Sequence, residues 1–283
     1  MAVSFFVVIL LKKHTMADNY LEKKFEEHNA QSSVRRNTYT KTKIRNVFVT
    51  GGANGIGSAI VRNMRMAGNN VAFCDIDAEA GQALASTTGT LFVRANVCEP
   101  TELLSALNSV AEHWGNIDII VNNVGISKFA PLTETTIEAF DEVINTNVRP
   151  IFITSQYMAR QRKNQPISYG RIINISSTRY RQSEVGTEAY SASKGAVASL
   201  THALAMSMAQ YGVTVNCISP GWIETGNYDA LQPSDHAQHP SGRVGKPDDV
   251  ARIVRFLCDE NNNFINGENI VCDGGISRKM IYK

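Results

Sequence analysis

The sequence predicts a single doubly wound α/β domain with a parallel sheet, and three observations predict it. From residue 46 onward, short runs rich in β-branched residues alternate with helical stretches, the pattern of βαβ units laid into one sheet. Several of these runs (VFV, VAF, DIIV, RIINI) are apolar at consecutive positions, as strands are when helices cover both faces of a parallel sheet. The first run passes directly into TGGANGIG at residues 50–57, and SAIVRNMRMAG follows with helical spacing. A chain of 283 residues that is 43% hydrophobic buries a full core.

Taken in order, the strand candidates are residues 46–50, 70–75, 90–95, 117–122, 171–176, 213–218 and 269–273, seven in all. The stretch that holds AYSASKGAVASL reads as a helix ending near Gly212. Residues 45–283 form the expected nucleotide-binding domain, and residues 1–44 read as a mobile N-terminal extension with one short helix at 20–27. Within that extension, residues 2–11 are an apolar run of ten, far short of the roughly 20 that span a bilayer. Without a preceding basic residue or a small-x-small cleavage site, residues 1–15 read either as a non-functional stretch upstream of Met16 or as a weak targeting element.

Charge is uneven. Residues 1–45 hold nine Lys/Arg against four Asp/Glu, which leaves the remaining 238 residues at a net −3. The body therefore has no basic surplus for nucleic acid, and no stable membrane insertion is expected. Cys74, Cys98, Cys217, Cys258 and Cys272 are odd in number, contain no CxxC pair and mostly lie in apolar, strand-like or helix-like runs. They read as reduced packing residues of a cytoplasmic protein, not as a disulfide framework or a zinc site.

The glycine string carries the first chemistry. Gly51 permits a tight turn, Gly55 lets the backbone approach a pyrophosphate, and Gly57 lets helix and strand pack closely, with Asn54 and Ile56 completing the turn around a phosphate at the helix N-terminus. Asp75 closes the second strand 24 residues after Gly51, where a carboxylate accepts hydrogen bonds from the adenosine ribose. It would repel a 2′-phosphate, and Ile76 after it supplies no cation, so NAD is favoured over NADP. The plainer reading of Asp75 is a turn cap at the strand end.

The second signal is AYSASKGAVASL, in which Tyr190 and Lys194 share one helix face at i and i+4. A free tyrosine titrates near 10 and is a poor base at neutral pH. A lysine charge about 5.5 Å away at an effective dielectric of about 20 stabilises the phenolate by about 3 kcal/mol, roughly two pKa units. That makes the phenol usable as a general acid/base.

TGGANGIG, NNVG (Asn122 to Gly125), Asn147, NISS (Asn174 to Ser177), YSASK and SPGW (Ser219 to Trp222), in this order and spacing, resemble the short-chain dehydrogenase/reductase family in its compact branch of about 250 residues. The resemblance covers residues 45–276. It implies a Rossmann-type sheet of strand order 3-2-1-4-5-6-7, usually within a homotetramer. It makes Tyr190 the acid/base and Lys194 its helper, which also binds the nicotinamide ribose. Ser177, 13 residues before Tyr190, becomes the hydrogen-bond donor to the substrate oxygen, with Ser176 as competitor. Asn147 resembles the asparagine that holds a water in the proton relay, with Asn145 the weaker candidate. The family pattern sets Asn123 at the adenine ribose, Asn96 and Val97 beside the adenine, and Ile223 and Thr225 at the carboxamide. Two departures are Val124, where alanine is usual and which would crowd the cofactor slightly, and Pro150, which would bend the start of the next helix.

The expected activity is interconversion of an alcohol and a ketone or aldehyde. An NAD-dependent sugar epimerase or dehydratase is a rival, as is a non-catalytic NAD-binding regulatory protein. The former is disfavoured by the glycine spacing and the short C-terminal region, the latter by retention of the whole proton path. His236 and His239 stand at HxxH spacing without a third ligand nearby, so no metal is expected. Glu224 and Asp235 read as hydrated loop carboxylates. The stripe Val197, Leu200, Leu204 reads as core or subunit contact. Only sixteen residues, 226–241, separate Thr225 from GRVGKPDDVA. This short polar lid tilts the substrate toward a polar alcohol such as a sugar or polyol.

Overall fold

The computed structural model describes residues 43–163 and 169–280. The apolar run at 2–11 and the helix expected at 20–27 lie outside the described residues. Seven strands form one parallel sheet in the order β3-β2-β1-β4-β5-β6-β7. They are β1 (Asn46–Thr50), β2 (Asn70–Asp75), β3 (Leu91–Arg94), β4 (Ile119–Asn122), β5 (Gly170–Ile175), β6 (Val213–Pro220) and β7 (Asn269–Cys272). Class, strand number and order are those expected; the boundaries shift slightly. Strand β4 begins two residues late, after Asp118, whose amide donates to the Asn46 carbonyl (2.8 Å), whose carbonyl accepts the Arg171 amide (3.0 Å) and whose carboxylate accepts the Asn46 amide (2.9 Å).

Eight α-helices connect the described strands: α1 (Gly55–Met66), α2 (Ala78–Thr88), α3 (Pro100–Trp114), α4 (Ile137–Asn147), α5 (Arg149–Lys163), α6 (Glu188–Met208), α7 (Pro233–Ala237) and α8 (Pro247–Leu257). Alternating side chains enter two separate cores, which explains why the strands are apolar at consecutive positions. Val47, Val49, Val71, Phe73, Val121 and Ile173 meet Ile60, Met64, Leu84, Val254 and Leu257 on one face. Phe48, Ala72, Ile120 and Ile172 meet Leu103, Leu107, Val110, Met158 and Ala205 on the other.

Local chemistry sets the helix ends. The Asp77 side chain caps α2 by accepting the Ala80 amide (3.0 Å). Helix α6 passes through a 3-10 turn and stops at Gly212 in the left-handed conformation, as expected. Pro150 does not kink a helix interior: it occupies the first turn of α5, where its missing amide leaves no bond unmade. Strand β1 has β2 on one side and β4 on the other. The crossovers therefore diverge beyond its carboxyl end and leave a crevice there. Among the described residues no helix is long and apolar enough to cross a membrane.

Candidate active site

The crevice begins at the turn from β1 into α1. Gly51 and Gly55 adopt φ of +65° and +53°, a region that costs a residue with a Cβ. A Cβ on Gly57 would lie 1.9 Å from the Gly51 carbonyl oxygen, so only glycine lets the helix sit this close to the strand. Asn54 stands at the N-cap of α1 but gives its amide to Asp77 (3.0 Å) instead of capping the helix. The positive end of α1 thus faces the crevice without a side-chain cap, as an anion site requires. Asn123 braces the turn by donating to the Gly51 carbonyl (2.9 Å), while its own amide is held by the Thr50 hydroxyl (3.0 Å).

A cavity of about 560 Å³ opens beside this turn, lined among others by Asp75, Ile76, Asn96, Val97 and Asn123. Asp75 accepts the amides of Ala53 (3.0 Å) and Asp77 (3.1 Å), one on each oxygen. It does cap the turn, but a carboxylate has about four acceptor positions, so capacity remains toward the cavity. Asn96 is held through its own side-chain oxygen, which accepts the Cys98 amide (3.0 Å). The glycine turn, the uncapped helix and the carboxylate fit a dinucleotide, and the residues lining the cavity next to Asp75 bring no cation. Val124 lies against Gly51, 2.8 Å from where a Cβ would stand, so it crowds the turn itself.

At the carboxyl end of β5 two serines part ways. Ser176 turns inward and donates to the Lys194 carbonyl (2.8 Å), whereas Ser177 accepts the Arg179 amide (3.2 Å) and stands near enough to the Tyr190 phenol to lower it. Tyr190 and Lys194 project from the first turns of α6 as the spacing predicts. The ammonium lies 5.5 Å from the centre of the Tyr190 ring and donates to the Ile175 carbonyl (3.0 Å).

The electrostatics differ from the sequence-based expectation. Burial holds the Tyr190 phenol above its ordinary value, and Ser177 and the Arg179 charge pull it down. Lys194 is only 3% exposed, and burial brings its own value down to about 8. The i, i+4 spacing brings the ammonium to the expected distance, but burial in an apolar setting weakens its own hold on its proton.

Asn147, at the end of α4, donates to the Ile126 carbonyl (2.9 Å) and to Ser193 Oγ (2.9 Å), and accepts the Ile126 amide (2.8 Å). It ties the loop after β4 to α6. A Cβ on Gly125, which lines the cavity, would stand 3.1 Å from Lys194 Nζ and 3.6 Å from Asn147 Oδ1. Lys194 and Asn147 therefore converge on the inner end of the nucleotide crevice.

After β6, Ile223 pairs with Gly245 in an isolated bridge. Thr225 packs its methyl against Gly55, 3.2 Å from a Cβ position there, at the glycine turn. Glu224 and Asp235 accept nearby backbone amides, those of Gly226 and Gln232. His236 accepts the Val244 amide (3.2 Å) and packs on Tyr228, and buried His239 bonds the Asp235 carbonyl (3.2 Å). Both histidines thus serve the lid. Among the described residues no group of three or more His, Cys, Asp or Glu side chains gathers as a metal site. The cysteines are free thiols, and burial pushes Cys74 and Cys258 up to about 12.

Two neighbours escaped the sequence reading. Phe129 stands edge-on to Tyr190, ring centres 5.8 Å apart, and Arg179, paired with Glu184 at 2.7 Å, brings a positive charge to the phenol. Phe129 is distant in sequence and carries no motif. Arg179 follows Ser177 by two residues, and only the 3-10 turn at Thr178–Tyr180 directs it.

Residues 51–277 match the family model described as enoyl-(acyl carrier protein) reductase. An uncharacterized oxidoreductase of Thermotoga maritima is 40% identical over 249 residues, 83% of this chain and 96% of that protein. Among solved structures, an apo SCOR enzyme from Clostridium thermocellum superposes with a TM-score of 0.78 at 38% identity, covering 84% of this chain and 95% of that one. The 3-ketoacyl-(acyl-carrier-protein) reductase of Brucella melitensis, complexed with NADH, superposes with a TM-score of 0.77 at 28% identity over 82% and 98% of the two chains.

Proposed function

The chain belongs to the short-chain dehydrogenase/reductase family, and from that premise we propose that it is an NAD-dependent oxidoreductase interconverting an alcohol and the corresponding ketone or aldehyde. The observation that carries this reading is Tyr190 one helical turn before Lys194, its ring centre 5.5 Å from the ammonium, beside a crevice that Lys194 and Asn147 reach from within.

The nicotinamide, when bound, supplies the hydride acceptor or donor. Asp75 accepts the adenosine ribose hydroxyls with the capacity its two backbone donors leave free, and Gly51, Asn54, Gly55, Ile56 and Gly57 shape the phosphate turn. Asn96, Val97 and Asn123 line the adenosine half, and Ile223 and Thr225 close the other side. NAD is preferred because the Asp75 carboxylate repels a 2′-phosphate and Ile76 offers no cation against it; the NADH complex of the Brucella melitensis relative supports this choice.

Ser177 fixes the substrate oxygen. Tyr190 takes its proton during oxidation and returns it during reduction. Lys194, whose value near 8 keeps it within reach of both protonation states at working pH, binds the ribose and passes the proton inward to a water that Asn147 holds. The substrate is a small polar alcohol, in keeping with the polar lid at 226–241 and the Arg179–Glu184 pair beside Tyr190. Exposed Ile137, Phe140 and Phe152 on α4 and α5 support a homo-oligomer.

A panel of alcohols and ketones assayed by absorbance of the reduced nicotinamide, with NAD and with NADP, tests the reading. Turnover with NAD is expected. NADH binding without turnover of any panel member would instead mark a regulatory protein.

A further inference from the structure

The amino ends of the strands, opposite the crevice, carry a concentration of buried cations that the reaction does not use. A cavity of about 430 Å³ lies there between the starts of β5 and β6 and the segment after α8. Arg45 and Arg171 line it, only 8% and 2% exposed. Their guanidinium carbons stand 3.7 and 4.3 Å from the centre of the same Tyr169 ring. Arg162, 3% exposed, is close enough that Arg45 and Arg171 both act on it.

Buried charges are normally answered by opposite charges. Here the answer is incomplete. Arg171 donates to the carbonyls of Leu257, Gly170 and Asp259, and Arg162 to those of Tyr169 and Ile117. These acceptors are neutral, and among the described residues no carboxylate is hydrogen-bonded to either guanidinium. Asp118 and Asp259 oppose the repulsion only at a distance. Arg45 has one carboxylate partner, Glu260, whose side chain is 59% exposed. A guanidinium carries several N–H donors, so most of those on Arg45 remain without a protein acceptor among the described residues. Thr214 also lines the cavity, and its buried hydroxyl oxygen has no partner.

We propose that this cavity binds a small oxyanion, a carboxylate or phosphate group, which Arg45 receives directly with Arg171 and Thr214 behind it. Glu260 holds the place of that group. Its ion pair is weak because water screens the exposed carboxylate, whereas an anion inside the cavity meets the guanidinium of a residue only 8% exposed beside the buried Thr214 hydroxyl, where charge-assisted bonds are stronger. Part of the cluster is structural: Arg171 and Tyr169 satisfy the last carbonyls of α8. That role alone predicts no saturable ligand.

Isothermal titration of the full chain with inorganic phosphate and with malonate, against sodium chloride at matched ionic strength, tests the proposal. Saturable binding of at least one probe beyond the chloride control is expected. Arg45→Gln should weaken it about tenfold and Thr214→Val less, whereas Glu260→Gln, which removes the competing carboxylate, should tighten it about threefold. Malonate alone binding would assign a carboxylate ligand, phosphate alone a phosphorylated one. Heat indistinguishable from chloride, or binding untouched by both Arg45→Gln and Glu260→Gln, would overturn the proposal. Should Arg45→Gln fail to fold, Glu260→Gln, altered at an exposed side chain, decides the matter: unchanged or weaker binding refutes it.

Discussion

Replacing Tyr190 by Phe deletes a single oxygen and keeps the ring that stands edge-on to Phe129, 5.8 Å between centres. Loss of one polar contact at the hydroxyl costs at most about 1 kcal/mol, and a ring left in place opens no cavity, so the melting temperature should fall by no more than about 4 °C. Cofactor affinity should stay within about twofold, because the Lys194 ammonium rests on the Ile175 carbonyl and not on the phenol. Turnover is different. A positioned acid/base contributes about 10²–10⁴ in rate, equivalent to about 3 to 5 kcal/mol of barrier. Fluorescence titration with NADH reports binding, and stopped-flow absorbance of the reduced nicotinamide reports chemistry. If the variant retained more than about a tenth of the wild-type rate, the proton would come from elsewhere and the proposed role of Tyr190 would fail.

Asp75→Ala should narrow the preference for NAD, read as the ratio of kcat/KM values for the two cofactors; an unchanged ratio would show that the carboxylate only caps its turn. Arg179→Gln removes a positive charge that lowers the Tyr190 phenol, so the phenol should rise and deprotonate at higher pH. The acidic limb of alcohol oxidation should accordingly move toward alkaline pH, and a shift the other way would refute the electrostatic assignment. Lys194→Ala should weaken turnover and NADH affinity together, in contrast to Tyr190→Phe; loss of turnover alone would separate the lysine from the ribose. A chain beginning at Lys43 should keep turnover and assembly, since the glycine turn and Tyr190 both lie beyond it. A large loss in either would assign residues 1–42 a role.

Most of the sheet was legible because each strand feeds two cores. Val47 and Val49 enter one and Phe48 the other, so apolar runs without alternation mark buried parallel strands. The glycine turn was legible for a steric reason: the 1.9 Å approach at Gly57 leaves no alternative residue. Less legible were contacts between segments far apart in sequence. Thr225 against Gly55 and Phe129 against Tyr190 arise from loops that meet only once the sheet is assembled.

Sequence alone determined the class of fold, the strand order through its family resemblance, the dinucleotide turn and the pairing of Tyr190 with Lys194 on one helix face, because each follows from local spacing and sterics. Tertiary structure decided the electrostatics. Spacing places an ammonium near a phenol, but the Ile175 carbonyl captures that ammonium, burial lowers Lys194 to about 8, and the Tyr190 phenol is raised by its own burial. It likewise set the two serines apart, since only the packed α6 offers Ser176 the Lys194 carbonyl. Desolvation is a property of everything packed around a group, and no count along the chain contains it.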